Sequence, residues 1–413
     1  MSLFHNSTTE IETVNKLEVD NIQRSKSNSN IAKLYFFNFL IGFSLISGVL
    51  IPFYIIYGGF TFFEFMLLQS YYALMLILLE IPCGIIADRI GKKFALTLAA
   101  VSFLLIPFVY GIIPSKFLFF IGETLFAFSF ALISGTNEAI IIDTLKVVGK
   151  EKRVMKVVAL NDGMFLLGII ISAPIGSIIA NFVSIQFIIL LMIIPYCLSL
   201  IITLMIHKTS IEGSVKRKSA QILKSGIKLL WKNKILKILI FEKIIIEILI
   251  VFLVFTYQYY ILIEFNIPIF YFGFIEAGLM LSQFTFLNII PHLANSAVHK
   301  KKILLINTIV PGIGYLLISI TNFVPVVIFL FLIVIGLGLS RYIIFTNGIN
   351  RLIQQDNRAT ILSSINVISG TLKAILYPLI GFLIMININF LYLLLGVIIL
   401  LIALKSKVKK EYL

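Results

Sequence analysis

The sequence predicts an all-α membrane protein of about twelve spanning helices, and three observations carry that expectation. About twelve apolar runs, most near 20 residues, follow one another along the chain, each long enough to cross a bilayer as a helix. Of the 413 residues, 60% are hydrophobic and 13% charged, with a mean hydropathy of +1.06. A water-soluble domain of that length could not bury so much apolar surface, whereas a bilayer can act as its solvent. The basic residues, finally, collect in alternate gaps between the runs.

Residues 1–33 are polar, rich in Ser and Asn and mixed in charge; they read as a mobile cytoplasmic tail with no cleavable leader. Asn6-Ser7-Thr8 fits a glycosylation acceptor, which on that side of the membrane would mean nothing. The first span runs from about Leu34 to Tyr57, the second from Phe63 to Ala87 and the third from Phe94 to Ile113. The fourth, Phe117 to Leu145, is long enough to be a single tilted helix. Val157 to Ala180 and Ile185 to Ile206 complete the first half, residues 34–206. A polar stretch, 207–237, separates it from the second half, 238–404. There the spans are Ile238 to Ile263, Ile269 to Ala294, Ile303 to Ile320, Val324 to Phe345, Ile361 to Met385 and Phe390 to Leu404, followed by a short tail, 405–413.

Charge orients this array. Lysines and arginines crowd the gaps after the second, fourth, sixth, eighth, tenth and twelfth spans, while the other gaps hold Lys116 alone. By the positive-inside rule this fixes an even number of spans with both termini cytoplasmic in the cell membrane. The net charge of +15 would suit a nucleic-acid partner, but its confinement to one side of the spans argues for the membrane surface instead. In the central stretch, Ile222, Leu223, Ile227, Leu230 and Trp231 recur at helical spacing among lysines, as in a helix lying on anionic lipid. That stretch reads as an anchor and linker.

One boundary is unusual. From Glu80 to Leu96 an apolar run ends, a compact turn carries Asp88, Arg89, Lys92 and Lys93, and a new run begins. Gly84 and Gly91 allow close approach or a sharp bend there. This stretch resembles the signature between the second and third helices of the major facilitator superfamily, Gly-x-x-x-Asp-Arg-x-Gly-Arg-Lys, read here as Gly84, Asp88, Arg89, Gly91, Lys92 and Lys93. Lysine stands where the signature has its second arginine, keeping the charge and losing the planar fork. Arg358-Ala359-Thr360 and Ser134-Gly135-Thr136-Asn137-Glu138-Ala139 resemble a bacterial, drug-efflux-like branch.

The resemblance implies the major facilitator fold: two six-helix bundles of inverted repeats about a midplane site, rocking between access states. It implies a gate in which Asp88 meets the start of the eleventh helix, near Arg358, and Arg89 pairs with Asp143 at the inner end of the fourth. A helix N-terminus favours an acid, and an arginine–carboxylate bond is charge-assisted, so the physics suits both contacts. The second half has no good copy of the signature, since Ala294 to Lys302 keeps its bases but lacks an acid.

Ionisable residues inside spans are costly and each marks a functional hypothesis. Glu80 lies about 12 Å deeper than Asp88, and Glu138 about 7–8 Å deeper than Asp143, at the helical rise; each lines an inner cavity or braces a neighbouring helix. Asp162 lies on the inner side of the fifth span, where a polar contact with the gate region suits it. Glu123 and Glu276 sit in the outer parts of the fourth and eighth spans, as proton-coupling carboxylates or as hydrogen-bond acceptors of a facing helix. Lys243 and Glu247 share a face one turn apart and should pair, with Glu242 pointing elsewhere. Arg341 needs an acid across the bundle. Lys373, near or beyond the midplane, should pair with Glu276 or Glu123 or face an anionic substrate. Gly163, Gly168, Pro174 and Gly176 match an antiporter signature of the superfamily poorly and suit close helix packing. Tyr257, Gln258, Tyr259 and Tyr260 read as substrate contacts or interfacial aromatics.

Other chemistries find no footing. There is no P-loop, no His-Glu-x-x-His and no nucleophile–base pair; the four histidines are scattered, and Cys83 and Cys197 lie in separate apolar runs. The expectation is a transporter, not an enzyme, acting without cofactor or metal as a monomer in lipid. Its partners would be a small-molecule substrate and the proton as coupling ion, moved as a proton-coupled export of amphipathic or drug-like compounds. A nutrient importer on the same scaffold and a non-transporting membrane receptor are the alternatives.

Overall fold

The computed structural model describes residues 29–207, 230, 233–294, 296–353 and 358–412. Most of the amino-terminal tail and of the 207–237 linker therefore lie outside the described residues. Twelve helical segments succeed one another: α1 (Ser29–Tyr57), α2 (Phe62–Arg89), α3 (Lys92–Gly111), α4 (Lys116–Val147), α5 (Val154–Phe182), α6 (Ile185–Met205), α7 (Lys234–Ile263), α8 (Phe272–Leu293), α9 (Ala297–Ile320), α10 (Val324–Leu352), α11 (Arg358–Ile386) and α12 (Ile388–Leu404). Ten described segments are long and apolar enough to cross a membrane, and α12 is apolar but shorter, at 17 residues.

Several helices extend past their apolar runs into charge, because a lysine or glutamate continues a helix as readily as leucine does. What starts them is capping. Thr61 and Glu64 form a reciprocal capping box at α2, and Lys116 bonds Glu64 at 2.6 Å, tying the start of α4 to that of α2. Asn233 accepts from the backbone of Ile235 and Leu236 and sets the start of α7.

In the first half α2 and α3 pack on α4, α3 also meets α6, and α1 lies against α5; in the second α7, α8 and α9 pack on α10, and α9 on α12. Two seams join the halves, α2 on α11 and α5 on α8. Small residues bring α1 and α5 together backbone to backbone. A Cβ on Gly176 would stand 1.9 Å from the Leu45 carbonyl oxygen, and one on Gly168 would stand 2.4 Å from that of Phe39. Without water to drive helices together, such close approach is what holds membrane bundles.

Two helices are broken. The regular hydrogen bonds of α1 lapse over residues 43–49, and α4 divides into Lys116–Ile133 and Thr136–Val147. Gly135 has φ +73, open to glycine at little cost, so the fourth span is two helices rather than the single tilted one expected from its length. At one end of the bundle lie Lys92, Lys93, Lys146 and Arg153; we call it the basic end.

Candidate functional site

The break in α1 opens onto a cavity of about 250 Å³ between the halves. Its lining is mainly aliphatic and aromatic, and besides tyrosine hydroxyls its polar groups are Ser44 and Ser47 of α1, Gln69 of α2, Glu123 of α4, Gln258 of α7 and Glu276 of α8. Irregular backbone at membrane depth is tolerated where it lines a cavity and its freed groups find partners. Here they do: Ser172 donates to the Ser44 carbonyl at 3.1 Å. Gln258, from the other half, donates to the Ser47 carbonyl at 3.0 Å and accepts from the Ile51 amide at 2.9 Å.

Both outer carboxylates singled out from sequence meet in this cavity. Glu123, 4% exposed, accepts from the Tyr54 hydroxyl and, at 3.0 Å, from that of Tyr110. Glu276, 7% exposed, accepts from Tyr257 at 2.5 Å, and Gln258 donates to that same tyrosine oxygen at 2.9 Å. A continuous chain thus runs from the Glu276 carboxylate through Tyr257 and Gln258 to the backbone of the broken α1. It crosses from the second half to the first on the side of the molecule away from the basic end. Phe62 against Tyr259 (ring centroids 4.5 Å apart) and Ser177 donating to the Phe270 carbonyl at 2.9 Å seal the same region. The tyrosines at 257 and 260 are therefore core residues rather than interfacial ones: Tyr257 holds Glu276, and Tyr260 bonds Asn389 at 3.0 Å.

At the basic end the turn expected from sequence is present. Gly91, at φ +123, reverses the chain between α2 and α3. Asp143 is bonded by Lys92, however, and not by Arg89. The reason is positional: α3, which begins at Lys92, packs on the α4 segment carrying Asp143, whereas Arg89 ends α2 and is exposed. Lys93 donates to the Leu204 carbonyl at 2.6 Å, fastening α3 to the end of α6. Asp88 is exposed and forms no ion pair among the described residues. The lead-in to α11 at 354–357 and the side chain of Arg358 lie outside what is described, so the expected contact there does too. At Gly84 no described atom beyond its chain neighbours and its own helix backbone stands within 4 Å of the place a Cβ would take.

The remaining intramembrane charges sort by half. Lys373 does not meet Glu276 or Glu123; it lies 3.4 Å from Glu247, which Lys243 also approaches at 3.7 Å. Two elements explain the correction: α11 runs beside α7, and Lys373 comes level with Glu247, well short of the tyrosine-bound carboxylates. The acid that Arg341 requires is Glu242, at 3.6 Å, which also takes a bond from Ser406 at 2.9 Å. Glu80 is half-buried in α2, while Glu138 and Asp162 are exposed toward the basic end. Sequence reasoning quoted Asn137 within a motif but gave no role to it, nor to Asn38 or Asn161. Asn137 donates to Asn38 at 2.9 Å and Asn38 to the Asn161 carbonyl at 3.1 Å, linking α1, α4 and α5 beside the two exposed acids. The signal was available: three asparagines within otherwise apolar runs.

Twelve helices in two bundles, joined at two seams around a cavity with buried carboxylates, form the architecture of a membrane transporter. The model of the Major Facilitator Superfamily matches residues 34–378, and the chain belongs to that superfamily. Solved structures of the same fold include a point mutant of the nucleoside transporter NupG, at TM-score 0.78 and 14% identity over 91% of this chain and 98% of that one. A POT family transporter in complex with a thioalcohol-conjugated peptide matches at 0.71 and 18% identity, covering 91% and 94% of the two chains. A D-xylose-proton symporter matches at 0.71 and 13%, covering 94% and 99%. No curated protein matches the sequence.

Proposed function

We propose that this protein is a proton-coupled exporter of amphipathic small molecules. The observation that carries the reading is the placement of Glu123 and Glu276 in one largely apolar cavity, each held by tyrosine. A carboxylate in that setting takes up and releases a proton at a cost its neighbours set, and an apolar wall suits an apolar guest. The likeness to a D-xylose-proton symporter adds fold-level support for the proton as driving ion. The basic end is the cytoplasmic one on the positive-inside rule. Its gate comprises Gly84, Asp88, Arg89, Gly91, Lys92, Lys93, Asp143 and Arg358, with Glu80 and Glu138 lining the way inward. The protein works as a monomer in lipid, without cofactor or metal.

The polar groups Gln69, Gln258, Ser44 and Ser47 in the same cavity favour, as a second reading, a nutrient importer that hydrogen-bonds its solute. One assay separates the two. Purified protein is placed in vesicles with a pH-sensitive dye in the lumen, and a panel of amphipathic compounds, sugars and nucleosides is added against an imposed proton gradient. Amphipaths are expected to move counter to protons, and a protonophore to stop them. Movement of a sugar or nucleoside along with protons would favour import, and flux indifferent to the gradient would remove the coupling.

A further inference from the structure

We propose that a cleft between α7, α11 and α12 at the basic end binds an anionic phospholipid, its acyl chain in an apolar slot and its phosphate on lysine. The site stands apart from the central cavity and does not depend on what the protein transports. α7 packs mainly on α10 and α12 mainly on α9, while α7, α11 and α12 meet one another only sparingly. A cavity of about 660 Å³ is left among the three, larger than the central one. Ile238 and Phe241 of α7, Ile368 and Leu372 of α11, and Ile398 and Leu401 of α12 form its apolar wall. Phe241 and Leu401 are exposed, so the cavity opens on the outer surface of the bundle, where acyl chains lie. Apolar cavities stay dry and take apolar guests, and a gap of this size forfeits packing contacts until something fills it.

The charges sit at one end of this slot. Successive spans alternate in direction, so α12 ends at the basic end, as α2 and α4 do, and α7 begins there. Lys237, in the first turn of α7, and Lys405 and Lys407, just past α12, line the cavity and are exposed. Ile398, two turns before Lys405 on α12, lies about 10 Å deeper at the helical rise. The tail that carries two of these lysines is held in place. Ser406 donates to Glu242 at 2.9 Å, the Val408 amide donates to Ser406 at 3.4 Å, Val408 is buried, and residues 410–412 pack on α9. Glu242 is the one acid in the lining, and Arg341 also meets it, at 3.6 Å. Glu411, the acid of the tail, is exposed and outside the lining. Lys405 and Lys407 pair with no acid among the described residues, so the charge at the mouth calls for an anion from outside. Basic pockets between spans at the membrane surface hold anionic head groups, each lysine adding attraction. A zwitterionic head group would bring its own cation to these lysines, so the rim selects net negative charge.

The test uses the full chain, purified in a neutral detergent and washed free of lipid, with phosphatidylglycerol and phosphatidylcholine of identical acyl chains. Glycerol 3-phosphate, the head group without chains, is the third probe. Binding is read from the rise in melting temperature with the probe's concentration. Phosphatidylglycerol is expected to bind about ten- to hundredfold more tightly than phosphatidylcholine, the range that two or three lysines at a membrane surface support. Glycerol 3-phosphate should have no effect at the same concentrations. Lys405→Gln with Lys407→Gln should bring the two lipids level, and Lys405→Arg with Lys407→Arg should keep the preference, so that lost charge is not mistaken for a lost fold. Lys150→Gln with Lys152→Gln, exposed at the same end of the first half, should change nothing. Leu401→Trp, which fills the slot from its exposed side, should weaken both lipids. Equal binding of the two lipids, a preference that survives in the glutamine pair at 405 and 407, or glycerol 3-phosphate binding as tightly as the lipid overturns the proposal. Leu230 of the linker also lines the cavity. No response to either lipid, the result expected if residues 208–229 of this chain occupy the cavity instead, overturns it too.

Discussion

Glu276→Gln is expected to cut proton-driven accumulation sharply while leaving substrate exchange across the membrane intact. Glutamine can still accept the Tyr257 hydrogen bond, so the cavity keeps its shape, but it cannot gain or lose a proton. On the proposed coupling, a protonation change at Glu276 would act on the bond from Tyr257, through it on that from Gln258, and so on the hold of Gln258 on Ser47 and Ile51 of α1. That last contact joins the two halves, so the carboxylate and the seam share one hydrogen-bonded chain. Coupling energies between linked sites correspond to roughly 5- to 150-fold in equilibrium, and gradient-driven accumulation should fall by a factor in that range. Accumulation and counterflow of the same compound in vesicles check the two halves of the expectation. Glu64→Gln is the control, since Glu64 is a carboxylate that caps a helix end away from the cavity. Accumulation that survives in Glu276→Gln would place the coupling elsewhere.

Gly176→Val should cost the protein its fold, or about 3 kcal/mol of stability, the upper range for overpacking. The Cβ alone would sit 1.9 Å from the Leu45 carbonyl oxygen, and backbone cannot swing aside as a side chain can. The strain falls beside the irregular stretch of α1 that lines the cavity, so a surviving fraction should also lose binding. Gly84→Ala is the counterpart. Beyond its chain neighbours and its own helix backbone no described atom lies within 4 Å there, and alanine is the better helix former by about 1 kcal/mol, so melting should hold or rise. Melting temperature in detergent, with the yield of monodisperse protein, measures both. Equal behaviour of the two variants would mean that the α1–α5 approach does not limit stability.

The architecture was legible because one repeated constraint wrote it. Every span must be predominantly apolar, and every second gap is basic, so helix number and pairing into halves follow from pattern alone. Small residues in the fifth helix were correctly read as a packing stripe, and Gly168 and Gly176 do meet α1. Breaks were harder to see. Residues 43–49 are as apolar as their flanks, and hydropathy carries no sign of a lapse in hydrogen bonding. Gly135 was visible, but its left-handed conformation was not. The site was legible by residue and not by partner. Glu123 and Glu276 stood out as buried acids, yet which tyrosines hold them depends on how α1 and α7 are rotated. Lys373 was assigned to the wrong acids for the same reason: depth along a helix follows from the rise per residue, while azimuth depends on packing. Arg89 and Lys92 differ by three positions across a turn, and only the packing of α3 on α4 decides that Lys92 reaches Asp143.

The most direct test follows the opposite end itself. Val183→Cys and Phe323→Cys, both exposed beyond the seam on different halves, carry spin labels in a chain whose Cys83 and Cys197 are replaced by serine. The distance between labels is measured by pulsed electron resonance across a range of pH. The wild type is expected to exchange between a short and a longer distance as pH changes, and Glu276→Gln to hold one distribution throughout. The same pH response in both proteins would contradict a proton-controlled seam.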